Sequence, residues 1–524
     1  MSGTSSVASF FSHSSFSSVL FLYLLLHLLR PHIWPTEAAP RSLIRSDYSE
    51  PMAKPSVPVL SPTELQALYQ VMGAIVGDAG SWRAHHPMAP CTQDSWPGVV
   101  CEEVKNNNND SDMDDDGYGD HGKGHIGDES SIRPTIVHVT RLELGYKPNL
   151  TCAPNATLHP AIAKLAFLQS LFIFGCFTEG NASIPPVLGL LAGSLRELSL
   201  RSNPALVGSI PSELGELSSL QVLSLSQNSL YGEIPPSFGR LRNLQHLDLS
   251  YNMLSGAVPP ELGAMESLVI MDLSMNALVG HIPPSLGRLT LVQKLDMSSN
   301  ALEGKVPMEL GNLNNLRFLS LSGNAITGPL PASMANFSES LQYLLLDSNP
   351  IKGPIPGFLG QFSNILALSL SNCGYSGSIP QNFVFLTNLT VLSLDRNNLT
   401  GPIPSGFAEL PHLYSLNLSQ NRLSGPIPFT PTFVRRLGKN LDLQGNSELC
   451  ARWALPQNKT TGEIMKLCSE LNGSADSSVH PSSYWPRSPR ALYSKLLVAA
   501  LITLLINLLD GAMSPINDEE KSLI

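Results

Sequence analysis

The chain has 524 residues, of which 43% are hydrophobic and 14% charged, and its formal net charge is −10. Ten acidic residues and two lysines in the segment 102–130 account for −8 of that charge. Because the rest is close to neutral, no basic surface for a nucleic acid is expected, and we predict no nucleic-acid partner.

The N-terminal segment has the features of a secretory signal peptide. An apolar run at residues 19–29 is too short to span a membrane comfortably, and small residues follow it. Cleavage after Ala38 is the prediction. Residues 1–38 are therefore interpreted as a signal peptide and residues 39–59 as a flexible segment, which directs the mature protein to the cell exterior.

An N-terminal cap is predicted at residues 60–136, and it begins with an amphipathic helix. Ser61 has the N-cap position, Pro62 the first turn and Glu64 the acidic position of a capping box. Apolar residues at helical spacing predict one buried face. They are Leu65, Leu68, Val71, Met72 and Ile75.

The acidic segment interrupts this cap. It contains the start of a pattern typical of calcium-binding loops. The residues with that spacing are Asp112, Asp114, Asp116 and Gly117. Lys123, however, stands where such a loop requires a bidentate glutamate. We therefore predict a disordered insertion at residues 102–130 and no metal site.

A phrase of 24 residues, or 25 at three places, is repeated through the centre of the chain. Most copies have an asparagine and, six residues later, an apolar residue followed by proline; after Asn203 the spacing is seven residues. The asparagines are Asn203, Asn228, Asn252, Asn276, Asn300, Asn324, Asn349, Asn397, Asn421 and Asn446, with Cys373 at the equivalent position of one copy. Two frames in phase over about 250 residues indicate a leucine-rich-repeat solenoid.

Each repeat supplies apolar residues that no single coil could bury alone. Leu244, Leu247 and Leu249 are predicted to point into a shared core, and the residues between them to face outward on the concave side. Asn252 is predicted to turn inward and to satisfy backbone groups of its own and the adjacent coil. An unpaired buried amide would cost about 1–3 kcal/mol.

The predicted fold class is an α/β repeat, a right-handed solenoid of plant-specific 24-residue repeats with a cap at each end. Two looser coils, at 139–145 and 168–176, precede the regular ones and bring the total to about thirteen. One elongated domain is therefore expected at residues 137–446, followed by a C-terminal cap at 447–471.

Six of the seven cysteines are predicted to be oxidised, in keeping with an exported protein. They are Cys91 and Cys101 in the N-terminal cap, Cys152 and Cys176 around the first coils, and Cys450 and Cys468 in the C-terminal cap. Cys373 is predicted to be a buried free thiol in the place of an asparagine.

Ten glycosylation sequons also fit an exported protein. They lie at Asn109, Asn149, Asn155, Asn181, Asn336, Asn388, Asn398, Asn417, Asn458 and Asn472. Asn417 lies between Leu416 and Leu418 on a predicted concave strand, so a sugar there would obstruct the C-terminal part of that face.

The C-terminal region is predicted to anchor the protein to a membrane. A Ser/Pro linker at 472–490 precedes an apolar segment at 491–509 and a polar tail at 510–524. The apolar segment includes Lys495, and a transmembrane helix needs about 20 apolar residues. Small residues early in the linker also suggest a glycolipid-anchor signal. A single-pass anchor is preferred and a glycolipid anchor stays open; both place the protein on the extracellular face of the plasma membrane.

No catalytic motif is present. The sequence has no phosphate-binding loop, nucleophile elbow, HExxH or paired CxxC, and nothing resembling a kinase follows the apolar segment. We therefore predict no enzymatic activity, no metal and no cofactor, and we expect any signalling to be performed by a partner.

A binding strip is predicted on the concave face. The position six residues before each asparagine faces outward, and its residues are Glu197, Val222, His246, Ile270, Lys294, Phe318, Tyr343, Ala367, Val391 and Ser415. Exposed aromatic and aliphatic side chains suit a contact surface. The predicted strip comprises Ile270, Phe318, Tyr343 and Leu345, with Tyr251 and Met275 beside them. The ordinary β-propensity of a strand would favour the same residue types.

Residues from about 60 to 468 resemble plant leucine-rich-repeat receptor-like proteins that lack a kinase domain. The phrase IPxxLGxL is that of the plant-specific repeats, and the cap phrases WPGVVC, LFIFGCFT and FVRRLGKNLDLQGNSELC are more specific. The resemblance implies a cell-surface protein that assists receptor kinases in recognising peptide or microbial signals. It also implies the disulfides Cys91–Cys101 and Cys450–Cys468.

Two functions are therefore expected to compete. The first is a membrane-held, kinase-less receptor or co-receptor in plant signalling or defence, whose partner is a receptor-kinase ectodomain or a peptide or protein ligand. The second is a secreted or wall-bound inhibitor of a pathogen wall hydrolase, similar to polygalacturonase-inhibiting proteins. The apolar C-terminal segment favours the first, and the lack of a basic concave face disfavours the second. An extracellular scaffold is a third possibility.

Overall fold

The computed structural model describes residues 58–77, 90–91, 96–103, 135–145, 151–453 and 467–468. The predicted signal peptide, residues 104–130 of the acidic insertion with the calcium-loop pattern, the linker, the anchor segment and the tail lie outside these residues, as do four of the sequons. Those four are Asn109, Asn149, Asn458 and Asn472. Glu102, the first residue of the predicted disordered insertion, instead ends the strand Val99–Glu102.

A sheet of fifteen strands forms the face predicted to be concave, and we call it the concave sheet. Its path is Pro58–Leu60, Thr135–Leu144, Ser170–Phe174, Glu197–Arg201, Val222–Ser224, His246–Asp248, Ile270–Asp272, Lys294–Asp296, Phe318–Ser320, Tyr343–Leu345, Ala367–Ser369, Val391–Ser393, Ser415–Asn417 and Leu441–Asp442. Val99–Glu102 pairs antiparallel with Thr135–Leu144, and every later neighbour on the path is parallel.

A second row of short strands follows the repeat asparagines and forms three separate sheets. The first contains Val207–Gly208, Ser229–Gly232 and Met253–Leu254; the second Val279–His281, Ala301–Gly304 and Ala325–Ile326; the third Gly353–Pro354, Tyr375–Ser378, Asn398–Gly401, Arg422–Pro426 and Glu448–Cys450. The concave sheet is continuous, whereas this second row is interrupted twice.

One 3₁₀ helix closes most coils, and it usually begins at the residue after a proline that presets the backbone. These helices are Pro160–Lys164, Pro186–Leu191, Ser212–Glu216, Pro236–Arg240, Pro260–Ala264, Pro284–Arg288, Met308–Asn312, Ala332–Phe337, Gly357–Gln361, Gln381–Phe385, Ser405–Glu409 and Gly438–Asn440. An α-helix at Pro431–Leu437, which the repeat pattern did not predict, begins after Thr430, whose hydroxyl accepts from the amide of Phe433.

The structure confirms the predicted roles of the repeated leucines and of the repeated asparagines, which form a ladder from coil to coil. Leu244, Leu247 and Leu249 are fully buried. Nδ2 of Asn252 donates to the carbonyls of Leu225 (2.8 Å) and Leu249 (3.1 Å), and its Oδ1 accepts from the amide of Leu230 (3.1 Å). Each ladder asparagine thus joins its own coil to the preceding one.

The N-terminal helix runs over Pro62–Val76 with Ser61 as its N-cap, as predicted. The Ser61 hydroxyl accepts from the amide of Glu64 (3.2 Å) and lies 2.9 Å from its Oε2. That carboxylate is buried and also contacts Nδ1 of His138 at 2.9 Å, so it joins the helix to the first long strand. Leu65, on the predicted buried face, is half-buried.

The disulfides Cys91–Cys101, Cys152–Cys176 and Cys450–Cys468 are present in the structure. Cys373 takes part in no disulfide and is buried. Its Sγ lies 3.1 Å from the carbonyl oxygen of Leu346 and 3.3 Å from that of Ser371, so the thiol donates where the ladder asparagines use Nδ2.

Cys373 is therefore expected to resist alkylation in the folded protein, because its sulfur is buried and hydrogen-bonded. Native protein treated with iodoacetamide without reductant should incorporate no label, and the same protein in concentrated guanidinium chloride should incorporate one label, at Cys373. A label on any of the six other cysteines would show that a disulfide is missing.

Candidate binding surface on the concave sheet

The structure brings much of the predicted binding strip together on adjacent strands. Ile270 pairs in register with Lys294, Lys294 with Phe318, and Phe318 with Tyr343. Leu345 lies two residues beyond Tyr343 on the same strand and faces the same side. Because neighbouring strands are about 4.8 Å apart, these side chains form one continuous surface.

Phe318 differs from the prediction of an exposed aromatic, because only 4% of it is exposed. Its ring centroid is 5.9 Å from that of Tyr343, and Nζ of Lys294 lies 5.7 Å from the ring centre. Side chains from the two adjacent coils therefore cover it. Phe318 forms the floor of the strip, while Ile270, Tyr343 and Leu345 are half-buried above it.

Tyr251 and Met275 lie at the edge of the strip, one residue before a ladder asparagine. Their backbones have φ of 53° and 55°, in the left-handed region. Left-handed backbone at a non-glycine residue costs roughly 1–2 kcal/mol, and the hydrogen-bonded turn holds it in place. Tyr251 is 41% exposed, the highest value among the six predicted residues, and Met275 is half-buried.

An acidic ladder, which the repeat pattern did not predict, lies beside the strip. Asp248, Asp272 and Asp296 occupy one register on adjacent strands, and all three are buried. Oδ1 of each accepts from the amide and hydroxyl of the serine two residues later. Nζ of Lys294, itself only 5% exposed, lies 3.0 Å from Oδ2 of Asp272. The repeated Asp-x-Ser of these coils was the available sequence signal.

Within the ladder, Asp296 has a pKa above that of an ordinary carboxyl group. Burial, followed by the nearby Asp272, raises the pKa of Asp296 to about 7, although hydrogen bonds from Ser298 and the charge of Lys294 act to lower it. Burial lowers the pKa of Lys294, but Asp272 and Asp296 outweigh it and leave that pKa raised. Burial, then Asp272 and Asp296, raise the pKa of the Tyr251 hydroxyl.

A cavity of about 350 Å³ lies where Cys373 replaces a ladder asparagine. Cysteine offers no amide oxygen to the preceding coil, and the amide of Ile351 instead donates to the carbonyl of Asn349 at 2.9 Å. The cavity is lined by Ser348, Asn349, Pro350, Lys352, Asn372, Cys373 and Gly374.

The part of the chain that the structure describes contains neither a candidate metal site nor a candidate membrane-spanning helix. No group of three or more His, Cys, Asp or Glu side chains there has an arrangement suited to a metal ion. No helix there has the length and apolar character needed to cross a membrane.

The sequence matches leucine-rich-repeat families along the described coils. Residues 149–304 match the family described as leucine-rich repeat region, and residues 315–337, 340–362 and 363–423 match those described as leucine rich repeat. Receptor like protein 29 of Arabidopsis thaliana is 44% identical over 170 residues, which cover 32% of this chain and 30% of that protein. Piriformospora indica-insensitive protein 2 of the same plant is 34% identical over 168 residues, 32% of each.

The fold is also similar to that of a solved complex. The crystal structure of PEPR1-AtPEP1 aligns with a TM-score of 0.56 and 28% identity, covering 75% of this chain and 53% of that one. The matched part spans about a third of each curated relative's length and about half of this solved chain.

Proposed function

We propose, since the chain belongs to the leucine-rich-repeat proteins, that it is a cell-surface recognition protein of plant signalling or defence. It acts as a receptor or co-receptor without enzymatic activity of its own, and it binds a peptide or protein ligand or the ectodomain of a receptor kinase.

The continuous surface formed by Ile270, Tyr343 and Leu345 over the Phe318 floor carries this proposal. Backbone hydrogen bonds in register hold the strands, and the Phe318 ring is packed from both sides. A partner that binds here therefore meets an ordered surface, and little conformational entropy is lost on association. Aromatic side chains on such a surface are typical of residues that dominate binding energy.

Similar proteins support the same role. Both curated relatives are plant proteins, and one is named as receptor like; the solved complex is that of PEPR1 with AtPEP1. The alternative, inhibition of a wall hydrolase, is less well supported. None of the similar proteins reported above is named as an inhibitor.

The proposed location is the extracellular face of the plasma membrane. It follows from the predicted signal peptide at 1–38 and the predicted anchor at 491–509, with a single-pass helix preferred to a glycolipid. The boundaries proposed above for the caps, solenoid and linker belong to the same proposal.

Tyr343→Ala is expected to reduce partner binding about 10- to 30-fold, because truncation of an aromatic contact residue costs about 1.5–2 kcal/mol. The measurement uses the tagged full-length protein, recovered from plant membranes in mild detergent, with quantitative mass spectrometry of co-purified receptor kinases. Their ectodomains are then titrated against wild type and variant in solution.

Tyr231→Ala provides the matched control, because Tyr231 is an exposed tyrosine in the second row of strands. Its variant should bind like wild type. Equal loss with both variants, or none with either, would contradict a binding site on the strip. Recovery of wall hydrolases from the soluble fraction, with no kinase and no membrane retention, would favour the inhibitor.

A further inference from the structure

Asn417 occupies the aspartate position of the acidic ladder, farther along the concave sheet. It pairs in register with Ser393 on one side and Asp442 on the other. Its Oδ1 accepts from the amide of Ser419 at 3.1 Å and from the Ser419 hydroxyl at 2.7 Å, as Oδ1 of Asp296 accepts from Ser298. The carboxamide oxygen is therefore held inside the fold.

The amide nitrogen of Asn417, unlike its oxygen, makes no hydrogen bond within the described residues. The second carboxylate oxygens of Asp248 and Asp272 accept from Ser224 (3.1 Å) and Lys294 (3.0 Å). In the described residues, Nδ2 of Asn417 has no hydrogen-bond acceptor, and the side chain is half-buried. Because the carboxamide is planar, fixing its oxygen on Ser419 directs the nitrogen away from that serine.

The surroundings of Asn417 leave room for a bulky group. The neighbouring outward residues are Ser393 and Asp442, which pair with Asn417, and Ser415 and Val391 in the adjacent row; all four are half-buried. They are far smaller than Phe318 and Tyr343 at the centre of the sheet. A sugar ring on this nitrogen would lie over the short side chains of Ser393 and Ser415, whose hydroxyl groups can form hydrogen bonds with it.

Asn417 also differs from the five other described sequons. Nδ2 of Asn336 and Nδ2 of Asn388 donate to the carbonyls of Gly311 (3.0 Å) and Ser363 (2.8 Å) in the preceding coils. Asn155, Asn181 and Asn398 are exposed away from the concave sheet. Asn417 alone among these six lies on a strand of the concave sheet.

We propose that Asn417 carries an N-linked glycan that stands on the concave sheet and closes its C-terminal part to protein partners. The proposal rests on the proposed extracellular location but not on any particular ligand. The amide nitrogen loses a proton and bonds to the anomeric carbon of an N-acetylglucosamine. The bond between that carbon and the diphosphate of a lipid-linked oligosaccharide donor breaks, and the lipid diphosphate leaves.

Site occupancy is measured on the tagged full-length protein purified from plant membranes. An amidase that removes N-glycans in ¹⁸O-water converts each occupied asparagine to labelled aspartate, which peptide mass spectrometry then locates. Label is expected at Asn417 in most molecules. Asn417→Asp is the control variant, because it keeps the acceptor for Ser419, as Asp296 does for Ser298, and lacks the sequon.

Coverage of the sheet is measured with an introduced cysteine. Ser393→Cys, directly beside Asn417, should react with a bulky maleimide at least tenfold more slowly in the glycosylated protein than in the Asn417→Asp background. Ser199→Cys, in the same row near the N-terminal end, should react equally in both. Cys373 is buried and should contribute no background.

The possible outcomes separate the two halves of the proposal. Bare Asn417 with label at Asn155, Asn181 or Asn398 would overturn the glycan. Occupied Asn417 with equal Ser393→Cys rates in both backgrounds would overturn the coverage of the sheet. Absence of label at every sequon would contradict the proposed extracellular location itself, and the glycan with it.

Discussion

Replacing Asn324 by alanine is expected to lower the free energy of unfolding by about 3–6 kcal/mol, the largest single-residue effect we anticipate. Nδ2 of Asn324 donates to the carbonyls of Met297 (3.0 Å) and Leu321 (2.9 Å), and Oδ1 accepts from the amide of Leu302 (3.0 Å). Alanine leaves these three backbone groups buried without the side chain. At about 1–2 kcal/mol each, in the lower part of the usual range, the total is about 3–6 kcal/mol. Denaturant unfolding followed by circular dichroism measures the change.

Two further variants test the cause of this loss. Asn324→Cys should lose less, because a thiol can still donate, as Cys373 does at the equivalent position. Asn314→Ala removes an exposed asparagine of the same coil and should change stability by no more than about 0.5 kcal/mol. Similar stabilities for Asn324→Ala and Asn314→Ala would show that the ladder hydrogen bonds contribute little.

The second large effect is on pH dependence: the folded protein should lose stability as the pH rises from about 4 to about 7. Asp296 has a pKa of about 7 in the fold, against about 4 in an unfolded chain, so the folded state binds the proton more tightly. Its stabilising contribution is complete below pH 4 and is lost as the pH approaches 7. A difference of about three pKa units corresponds to at most about 4 kcal/mol.

Asp296→Asn should flatten this profile, measured as the thermal midpoint between pH 4 and 8. Asparagine retains an oxygen for Ser298, as Asn417 does for Ser419, but it does not ionise. His246 lies two strands from Asp296, and the ordinary pKa of a histidine falls in the same pH range. His246→Gln is therefore a necessary control.

The remaining charges that face Asp296 make a further distinction. Asp272 raises the pKa of Asp296 and Lys294 lowers it. The charge of Asp248 acts on Lys294, and the charges of Asp272 and Asp296 act on the Tyr251 hydroxyl. Lys294→Met should steepen the loss of stability with rising pH, since no cation then offsets the carboxylates. An unchanged profile in both Asp296→Asn and His246→Gln would place the pH dependence outside the ladder.

The sequence predicted the features that every coil repeats. The leucine positions, the inward asparagines and the buried Cys373 follow from the chemistry of a single repeat, and the structure agrees. The 24-residue step also predicted which strip residues are neighbours, because in-register stacking turns sequence distance into adjacency.

Features that depend on contacts between particular coils could not be predicted in this way. Phe318 is buried by Lys294 and Tyr343, which lie about 24 residues away on either side. Burial of Asp296 likewise depends on its neighbours in adjacent coils, and Glu64 finds His138 74 residues later. A pattern within one repeat contains no information on such pairs.

The in-register concave sheet has a consequence for how a long ligand could be recognised. Its rows repeat at the strand spacing of about 4.8 Å, whereas the side chains on one face of an extended peptide repeat about every 6.7 Å. The distance across three coils matches the distance across two peptide side chains to within about 1 Å, and the mismatch between the two repeats grows along a longer peptide. A polyproline II peptide, which turns once in about 9.3 Å, stays nearly in phase with every second coil. Rows of like residues on this sheet therefore select a ligand by the repeat distance of its backbone as well as by its side chains.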